Sequence, residues 1–196
     1  MSDRTTGLFA REVSSPFGTL AVAWSVRDGI PLVSRVLLPG GVRPPGLARR
    51  SCMEIESVVR GMTAFLSGES VDFPVDVIRL DLCGGFQRRV LLEERLVPRG
   101  MVTSYSSIAA SLGAPGAARA VGGALAANPF PILVPCHRAV RADGSPGGFQ
   151  GGTGMKRSLL VMEGVAFDED GLVRRSSFVP AVSRRPQPSR TRTSRT

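Results

Sequence analysis

Two short helical segments of small residues, joined by a tight turn, constrain the fold of this chain more than any other feature. The first segment, residues 104–113, is amphipathic, and Gly113 can adopt the left-handed backbone conformation that ends a helix. Residues 114–116 supply the turn, and residues 117–127 are mostly Ala or Gly around one charged side chain, Arg119. Two helices joined in this way fit a helix-turn-helix, although any helical hairpin of small residues gives the same pattern.

Arg119 stands alone on the second of these helical segments. A helix of small residues brings its backbone close to a neighbour, which is either another helix or a nucleic-acid groove. A contact in the protein core would disfavour the arginine charge. An arginine presented in this way can enter a base stack or contact the edge of a groove. The pattern leaves helix packing and nucleic-acid binding both open.

Residues 135–138 (PCHR) place the only histidine of the chain, His137, directly after Cys136. A thiol becomes a strong nucleophile when it loses its proton, and histidine is the side chain best suited to accept that proton near neutral pH. Adjacent Cys and His also occur by chance, and a lone buried Cys can be an inert core residue. The tetrapeptide indicates covalent chemistry but does not identify a substrate.

Composition limits the class of protein. The 196 residues, 42% of them hydrophobic, suffice for one well-packed domain or two small ones. Neither a membrane-spanning apolar run nor a secretory signal is visible, so we expect a cytoplasmic protein. The three cysteines, Cys52, Cys83 and Cys136, show no CxxC spacing, which argues against a disulfide framework. A single histidine argues against a stable metal site, although a site with mixed ligands stays open. We also expect no cofactor.

The net charge of +9 is unevenly distributed. Residues 183–196 contain five arginines and no acid, which leaves +4 for the rest of the chain. This segment is rich in Pro, Ser, Thr and Arg, so we expect a disordered tail. The tail is either a solvated extension or a weak, salt-sensitive contact with phosphates.

The chain is predicted to divide near its middle. We expect an N-terminal α/β domain at residues 1–82 and a C-terminal domain at residues 83–182. In chain order the expected elements before the helical pair are two strands within residues 16–38 around a turn at 27–31, a helix over 51–66, a strand over 71–82 broken by Pro74, and a helix over about 85–96. We take Cys52 and Cys83 as buried structural thiols.

Taken together, residues 86–167 resemble the O6-alkylguanine-DNA alkyltransferases. The pattern of that family, SYxxIAxxxGxPxAxRAVGxAxxxNPxxxxxPCHRV followed by DGxxGGYxGG and a Lys-Arg helix ending in Glu, is met nearly throughout. The resemblance implies the α/β fold class, with a small ribonuclease-H-like N-terminal domain and a mainly helical, winged-helix-like C-terminal domain that contains a helix-turn-helix. It also implies a monomeric DNA repair protein that acts on O6-alkylguanine in double-stranded DNA, with O4-alkylthymine as a further candidate substrate.

The resemblance implies four residues for the chemistry. Cys136 would attack the alkyl carbon and keep the group as a thioether, so that each molecule is consumed as it repairs. His137 would act as the base through a water molecule, and Glu163 would orient its imidazole. Asn128 would connect the helix-turn-helix to the active-site loop and form hydrogen bonds beside Cys136.

Other residues would handle the DNA and the extruded base. Arg119 would fill the place that the base vacates in the stack, because the target atom lies inside the duplex. Tyr105 would press on the 3′ phosphate, and Ser106 and Arg138 would be further DNA contacts. The pocket for the base would contain Gly148, Gly151 and Phe149. The family usually has Tyr at position 149, so a hydroxyl contact to the base is lost here.

Two other classes of protein remain as alternatives. One is a DNA-binding protein without chemistry, either a lesion-recognition relative or a helix-turn-helix regulator, although such relatives typically lack the acceptor cysteine. The other is a redox or hydrolytic Cys–His enzyme. Inactivation by an alkylguanine, in place of peroxide turnover or ester hydrolysis, would separate these alternatives from an alkyltransferase.

Overall fold

The structure, a computed structural model, describes residues 6–42 and 47–180. The arginine-rich tail predicted at residues 183–196 lies outside the described residues. Within them, the chain forms a four-stranded sheet, five α-helices and a small two-stranded sheet. None of these helices is long and apolar enough to cross a membrane.

The N-terminal sheet has the strand order β3-β2-β1-β4. Its strands are β1 (Thr6–Ser15), β2 (Gly18–Arg27), β3 (Ile30–Leu37) and β4 (Ala48–Arg49). The pairs β1–β2 and β2–β3 are antiparallel, whereas β1 and β4 pair in parallel, so the sheet is mixed. Asp28 and Gly29 join β2 to β3 with φ angles of 50° and 80°, as a two-residue hairpin turn with two positive φ angles requires. The two strands expected within residues 16–38 are confirmed.

Helix α1 (Met53–Leu66) covers the sheet and confirms the helix expected over residues 51–66. Six of its apolar residues recur at helical spacing and are buried: Ile55, Val58, Val59, Met62, Phe65 and Leu66. The strand expected over residues 71–82 is wrong. That segment forms two short 3-10 turns, Val75–Val77 and Leu80–Leu82, and its one bridge to the sheet joins Ile78 to Val33. Pro74 has no N–H to donate to a ladder, and exposed apolar side chains such as Leu82 interrupt the burial that a strand would need.

The second half is mainly helical. Its elements are α2 (Gly85–Glu94), β5 (Thr103–Ser104), α3 (Tyr105–Ser111), α4 (Ala118–Ala126), β6 (Ala139–Val140) and α5 (Gly152–Met162). The hydroxyl of Ser104 accepts a hydrogen bond from the backbone N–H of Ser107 at 3.0 Å and so caps α3. Gly113 and Gly116, with φ angles of 71° and 92°, turn the chain from α3 into α4, which packs against it.

One apolar core joins the two halves of the chain. It extends from the sheet and α1 through α2 to the helical pair, and Cys136 belongs to it. The division at residue 82 stays a prediction. The core positions the segment that follows α4 in the interior, between the N-terminal layer and the second-half helices.

Candidate active site

The Cys136 segment, residues 131–140, is buried at every position. It follows α4 after a short connection. The amide side chain of Asn128 forms hydrogen bonds with the backbone where the segment begins. Asn128 Nδ2 donates to the backbone oxygen of Val134 at 3.2 Å, while its Oδ1 accepts from the backbone N–H of Phe130 at 2.9 Å. Between these anchors Ile132 adopts a φ of 75°, a conformation that a β-branched residue avoids unless its surroundings impose it. The chain is therefore forced into a tight loop in front of Cys136.

Cys136 starts a single 3-10 turn, Cys136–Arg138, and its side chain is buried. Burial raises the pKa of the thiol to about 11, and the hydrogen bond with Asn128 opposes this rise only in part. The thiol is therefore protonated at neutral pH. It becomes a nucleophile only if a nearby base accepts its proton.

His137, the next residue in the chain, is fully buried, and its imidazole is the side chain type that could accept such a proton. Its Nε2 lies 3.0 Å from Glu163 Oε1, and burial lowers its pKa even though Glu163 favours the charged form. An ionised carboxylate only accepts hydrogen bonds, so Nε2 carries the proton and Nδ1 has the basic lone pair. This Nδ1 forms no hydrogen bond within the described part of the chain. The rings of Phe65 and Phe149 pack around the imidazole at 6.0 and 6.3 Å between centroids.

Glu163 is held by two partners at once. Arg138 donates to both of its oxygens at 2.8 Å, alongside the bond from His137. Burial raises the pKa of Glu163, but the bonds from His137 and Arg138 outweigh it and lower the pKa to about 2. The site thus contains a permanent anion that fixes the imidazole tautomer.

Arg138 does not reach the surface as a DNA contact would. Its side chain is 11% exposed, and its Nη1 also donates to the backbone oxygen of Val97 at 2.7 Å. We therefore withdraw the expected DNA contact for Arg138. An arginine beside a buried carboxylate is held there, because separating the two would leave a charge unpaired in the core.

A cavity of about 490 Å³ opens onto Cys136. Phe149 and Gly148, which the family resemblance implies for the base pocket, line it together with Tyr105, Arg141 and Gln150. Gly151 lies outside the lining, but a Cβ on it would collide with Met155 Sδ and come within 3.1 Å of the Phe149 ring. The cavity is large enough for a small organic ring system.

Gly147 brings the cavity wall close to Tyr105. Its φ is 70°, and a Cβ at this position would lie 2.8 Å from the Tyr105 hydroxyl. A residue with a side chain would thus be strained and would push Tyr105 away. Only glycine allows this approach.

Sequence reasoning missed Lys156 as a residue of the site. Its side chain is fully buried, and Nζ donates to the backbone oxygens of Ala139 at 2.5 Å and Gly148 at 3.2 Å, and to the Tyr105 hydroxyl at 3.5 Å. The available signal was that Lys156 is the only lysine of the chain. Glu94, fully buried at the end of α2, was missed as well.

Helix α4 presents a bare outer surface. Val121 and Leu125 point into the core, whereas Arg119 is exposed. A Cβ added at Gly122 or Gly123 would meet nothing within 4 Å. Packing inside the chain therefore does not require glycine at either position, and Gly122 also lines the cavity at Cys136. Ser106, at the start of α3, is exposed and bonds to Ser104.

The described residues contain no cluster of three or more His, Cys, Asp or Glu side chains that could hold a metal ion. Cys83 is buried, as expected, whereas Cys52 is only half-buried. Neither thiol lines the cavity at Cys136.

Comparison with known proteins identifies the family. Residues 85–165 match the family described as 6-O-methylguanine DNA methyltransferase, DNA binding domain. The methylated-DNA--protein-cysteine methyltransferase of Methanothermobacter thermautotrophicus is 39% identical over 153 residues, which cover 78% of this chain and 84% of that protein. This chain belongs to the methylated-DNA--protein-cysteine methyltransferase family. The member from Mycobacterium leprae is 38% identical over 80% of this chain and 92% of its own length.

Solved structures of the methyltransferase family share the α/β fold. The OGT of Mycobacterium tuberculosis in complex with DNA matches with a TM-score of 0.69 and 33% identity, over 80% of this chain and 92% of that one. The O6-methylguanine methyltransferase of Mycobacterium tuberculosis gives a TM-score of 0.68 at 33% identity, over 81% of this chain and 93% of that one. The similarity covers both the mixed sheet and the helical half.

Proposed function

We propose that this protein repairs DNA by moving the alkyl group of O6-alkylguanine onto Cys136 in a single turnover. The observation that carries the proposal is the position of Cys136, at the end of a cavity and beside a neutral His137 that Glu163 orients. Family membership supports the same reaction, since the relatives are named for methyl transfer to a protein cysteine.

The buried residues account for the steps of transfer. His137 Nδ1 accepts the thiol proton, through a bridging water in the arrangement that the family resemblance implies. The sulfur of Cys136 attacks the alkyl carbon, the bond from that carbon to guanine O6 breaks, and the proton is returned to the departing guanine. Glu163 stabilises the imidazolium that forms in between. The thioether is not readily cleaved, so each molecule acts once.

The proposed partner is double-stranded DNA, and the base must leave the stack to reach the cavity. Extrusion costs a few kcal/mol, and a poorly paired base lowers this cost. The open space around Gly122 and Gly123 supports a close approach of α4 to the DNA, with Arg119 filling the vacated place. Tyr105, which lines the cavity, would press on the 3′ phosphate, and the exposed Ser106 would be a further DNA contact.

The extruded guanine is proposed to lie against Phe149. The cavity beside Cys136 offers the ring of Phe149 for stacking and the backbone of Gly148 for polar contact. Gly151 keeps the Phe149 ring in place by leaving room beside it. Phe149 has no hydroxyl, so recognition of the base depends on stacking and on backbone groups.

The two halves of the chain are proposed to follow the finer fold that the family resemblance implies. The α3–α4 pair would be the helix-turn-helix of a winged-helix-like domain, and the N-terminal sheet with α1 would be ribonuclease-H-like. One chain contains every residue proposed for the reaction, which supports a monomer. A cytoplasmic location follows from the proposed substrate, which is the DNA of the cell.

The test is incubation of the full chain with a duplex oligonucleotide that contains O6-methylguanine. We expect the peptide with Cys136 to gain the mass of one methyl group in place of one hydrogen, with no gain at Cys52 or Cys83. Cys136→Ser should bind the same duplex without gaining mass, and Cys83→Ser should react like the unaltered chain. Binding without any gain in mass at excess substrate would favour a lesion-recognition protein and contradict the proposal.

A further inference from the structure

Gln150 lies on the boundary between the cavity at Cys136 and a second cavity of about 630 Å³. The two cavities share the lining residues Gln150 and Ala126, so they adjoin. Gly151 gives the same result independently. A Cβ at Gly151 would lie 3.1 Å from the ring of Phe149, which lines the first cavity, and 3.2 Å from Leu38, which lines the second. The space beside Cys136 is therefore next to a larger space, and residues 150 and 151 lie between the two.

The side chain of Gln150 is fixed at this boundary by a hydrogen bond. Its Nε2 donates to the backbone oxygen of Asn128 at 2.7 Å. Gln150 belongs to the loop that forms one wall of the cavity at Cys136, whereas Asn128 follows the end of α4, which forms another wall. The bond therefore bridges two walls. Ala126, the other shared residue, has only a methyl group, so Gln150 is the larger of the two shared side chains.

The second cavity is suited to an apolar group. Asn128 also lines it, but its amide and its backbone oxygen are already engaged in hydrogen bonds within the chain. Arg35 carries the only charge among the described lining residues, and it is exposed to solvent. An apolar substituent that enters such a cavity gains free energy by leaving water. Apolar side chains of the lining include Val36, Leu37, Leu38, Ala127 and Pro129.

The two sides of the second cavity are joined by the backbone. The N–H of Val36 donates to the oxygen of Pro129 at 2.8 Å, which connects β3 to the segment after α4. Val36 and Leu38 are buried, so this side of the cavity is part of the core. The N-terminal sheet thus supplies one wall of a space that adjoins the cavity at Cys136.

We propose that Gln150 is a specificity-determining residue, whose side chain separates the two cavities and so favours small alkyl groups over bulky ones in the reaction at Cys136. A methyl group needs only the space beside the sulfur. A benzyl group on O6 needs room beyond the base, and the side chain of Gln150 restricts that room. Without this side chain, the second cavity would accept the aromatic ring. The consequence for alkyl transfer rests on the proposed function, whereas the separation of the two cavities does not.

The first experiment measures the size preference with DNA substrates. The full chain is mixed with two duplexes of identical sequence, one with O6-methylguanine and one with O6-benzylguanine, and mass spectrometry gives the ratio of benzyl to methyl product on the Cys136 peptide. Gln150 is exposed, so Gln150→Ala should leave the fold intact. We expect this variant to raise the ratio roughly 10-fold or more, as a change in the room for one apolar group does in other pockets. An unchanged ratio would overturn the proposal.

Gln87→Ala is the matched control. Gln87 Nε2 donates to the backbone oxygens of Ala124 and Ala127 at 3.1 and 2.9 Å, so it also holds the end of α4, but it lines neither cavity. The ratio should stay at the value of the unaltered chain. A rise equal to that in Gln150→Ala would show that a loosened α4 is responsible, and would overturn the proposal.

Two further variants test the route of the bulky group. Ala127 lines the second cavity but not the cavity at Cys136, so Ala127→Phe fills only the second. Added to Gln150→Ala, it should return the ratio to nearly the original value, and a ratio that stays high would overturn the role of the second cavity. Gln150→Met has similar length but no donor, and it should raise the ratio by less than Gln150→Ala. A ratio equal to that of the unaltered chain would overturn the role of the bond to Asn128.

A second kind of reagent separates this inference from the proposed function. Methanethiosulfonates that carry a methyl or a benzyl group form a mixed disulfide with a cysteine and release methanesulfinate, while the thiol proton goes to solvent. In competition for Cys136, the ratio of benzyl to methyl product should again rise in Gln150→Ala. A rise without any transfer from either duplex would refute the proposed function and support the separation of the cavities. No rise with these reagents would overturn the separation, even if the ratio from the duplexes changed.

Discussion

The Cys136 segment and helix α4 are neighbours in the sequence but differ in burial. Residues 131–140 are buried throughout; Asn128 holds their backbone at Val134, and Glu163 pairs with the side chain of Arg138. Helix α4 exposes Arg119 and leaves open space over Gly122 and Gly123. The contrast separates two tasks: the buried segment sets protonation states by excluding water, and the bare helix leaves room for an external partner.

The cluster of His137, Arg138 and Glu163 orients the imidazole of His137 more than it stabilises the fold. Removing two charges from water costs several kcal/mol per ion, which their attraction repays only when the geometry is good and the remaining hydrogen bonds are satisfied. Here Glu163 accepts from both partners, so the geometry condition is met. What the cluster supplies is one fixed imidazole tautomer beside Cys136.

Glu163→Gln is the change with the largest expected effect. The amide cannot hold His137 and Arg138 as the carboxylate does, and we expect the rate of alkyl transfer to fall by roughly 100-fold or more. The free energy of unfolding should fall by about 3–5 kcal/mol, since Arg138 is left as an unpaired buried charge. Single-turnover kinetics and urea unfolding measure the two effects.

The pH dependence of unfolding provides a second measure of Glu163. Its pKa lies at about 2, below the ordinary value of 4.5. A lowered pKa means stability that is fully present above pH 4.5 and is lost as the pH falls toward about 2. Glu163→Gln should lack this loss, whereas Glu169→Gln, at an exposed loop position, should retain both the loss and full transfer. Unchanged transfer in Glu163→Gln would remove Glu163 from the proposed chemistry.

Arg119→Ala tests the exposed helix α4, the second of the two regions compared. If Arg119 occupies the place of the extruded base, its loss should slow transfer from duplex DNA on the order of 10- to 100-fold, since extrusion is worth a few kcal/mol. Transfer from free O6-benzylguanine should be unchanged, because the buried cluster is intact. Arg157→Ala, an exposed arginine on α5, is the matched control and should affect neither substrate. Equal losses with both substrates would refute a role in base flipping.

The fold was largely predictable where local signals agree with packing. The Asp28–Gly29 turn and the apolar spacing of α1 are of this kind, and both predictions are confirmed. Residues 71–82 were mispredicted because their apolar content is typical of a strand. Pro74 and the turn at Arg79, whose side chain pairs with Asp81, prevent the hydrogen bonds that would join this segment to the sheet. Strand β1 was not predicted, since its polar residues obscure the alternation of apolar and polar side chains that indicates a strand.

The site was less predictable than the fold. Cys136 and His137 are adjacent and were visible as a pair, but Glu163 lies 26 residues from His137 and entered only through the family resemblance. Arg138 was assigned to DNA because charged side chains are normally exposed, and the structure pairs it with Glu163. Lys156 and Glu94 escaped for the same reason, since burial of a charge depends on tertiary packing and leaves no periodic signal.

Gly123→Ala has the smallest expected effect. It adds only a Cβ atom, and it should change the free energy of unfolding and the rate of transfer in opposite directions. Within α4, alanine should raise the free energy of unfolding by about 0.5–1 kcal/mol, because glycine has the larger entropy to lose and a Cβ here meets nothing. Transfer from duplex DNA should nevertheless fall, by less than in Arg119→Ala, if the DNA occupies that open space. Gly113→Ala is the matched control: its Cβ is equally unobstructed, but its φ of 71° strains alanine, so it should destabilise the protein. A stabilised Gly123→Ala protein with full duplex activity would show that the open surface of α4 does not face the DNA.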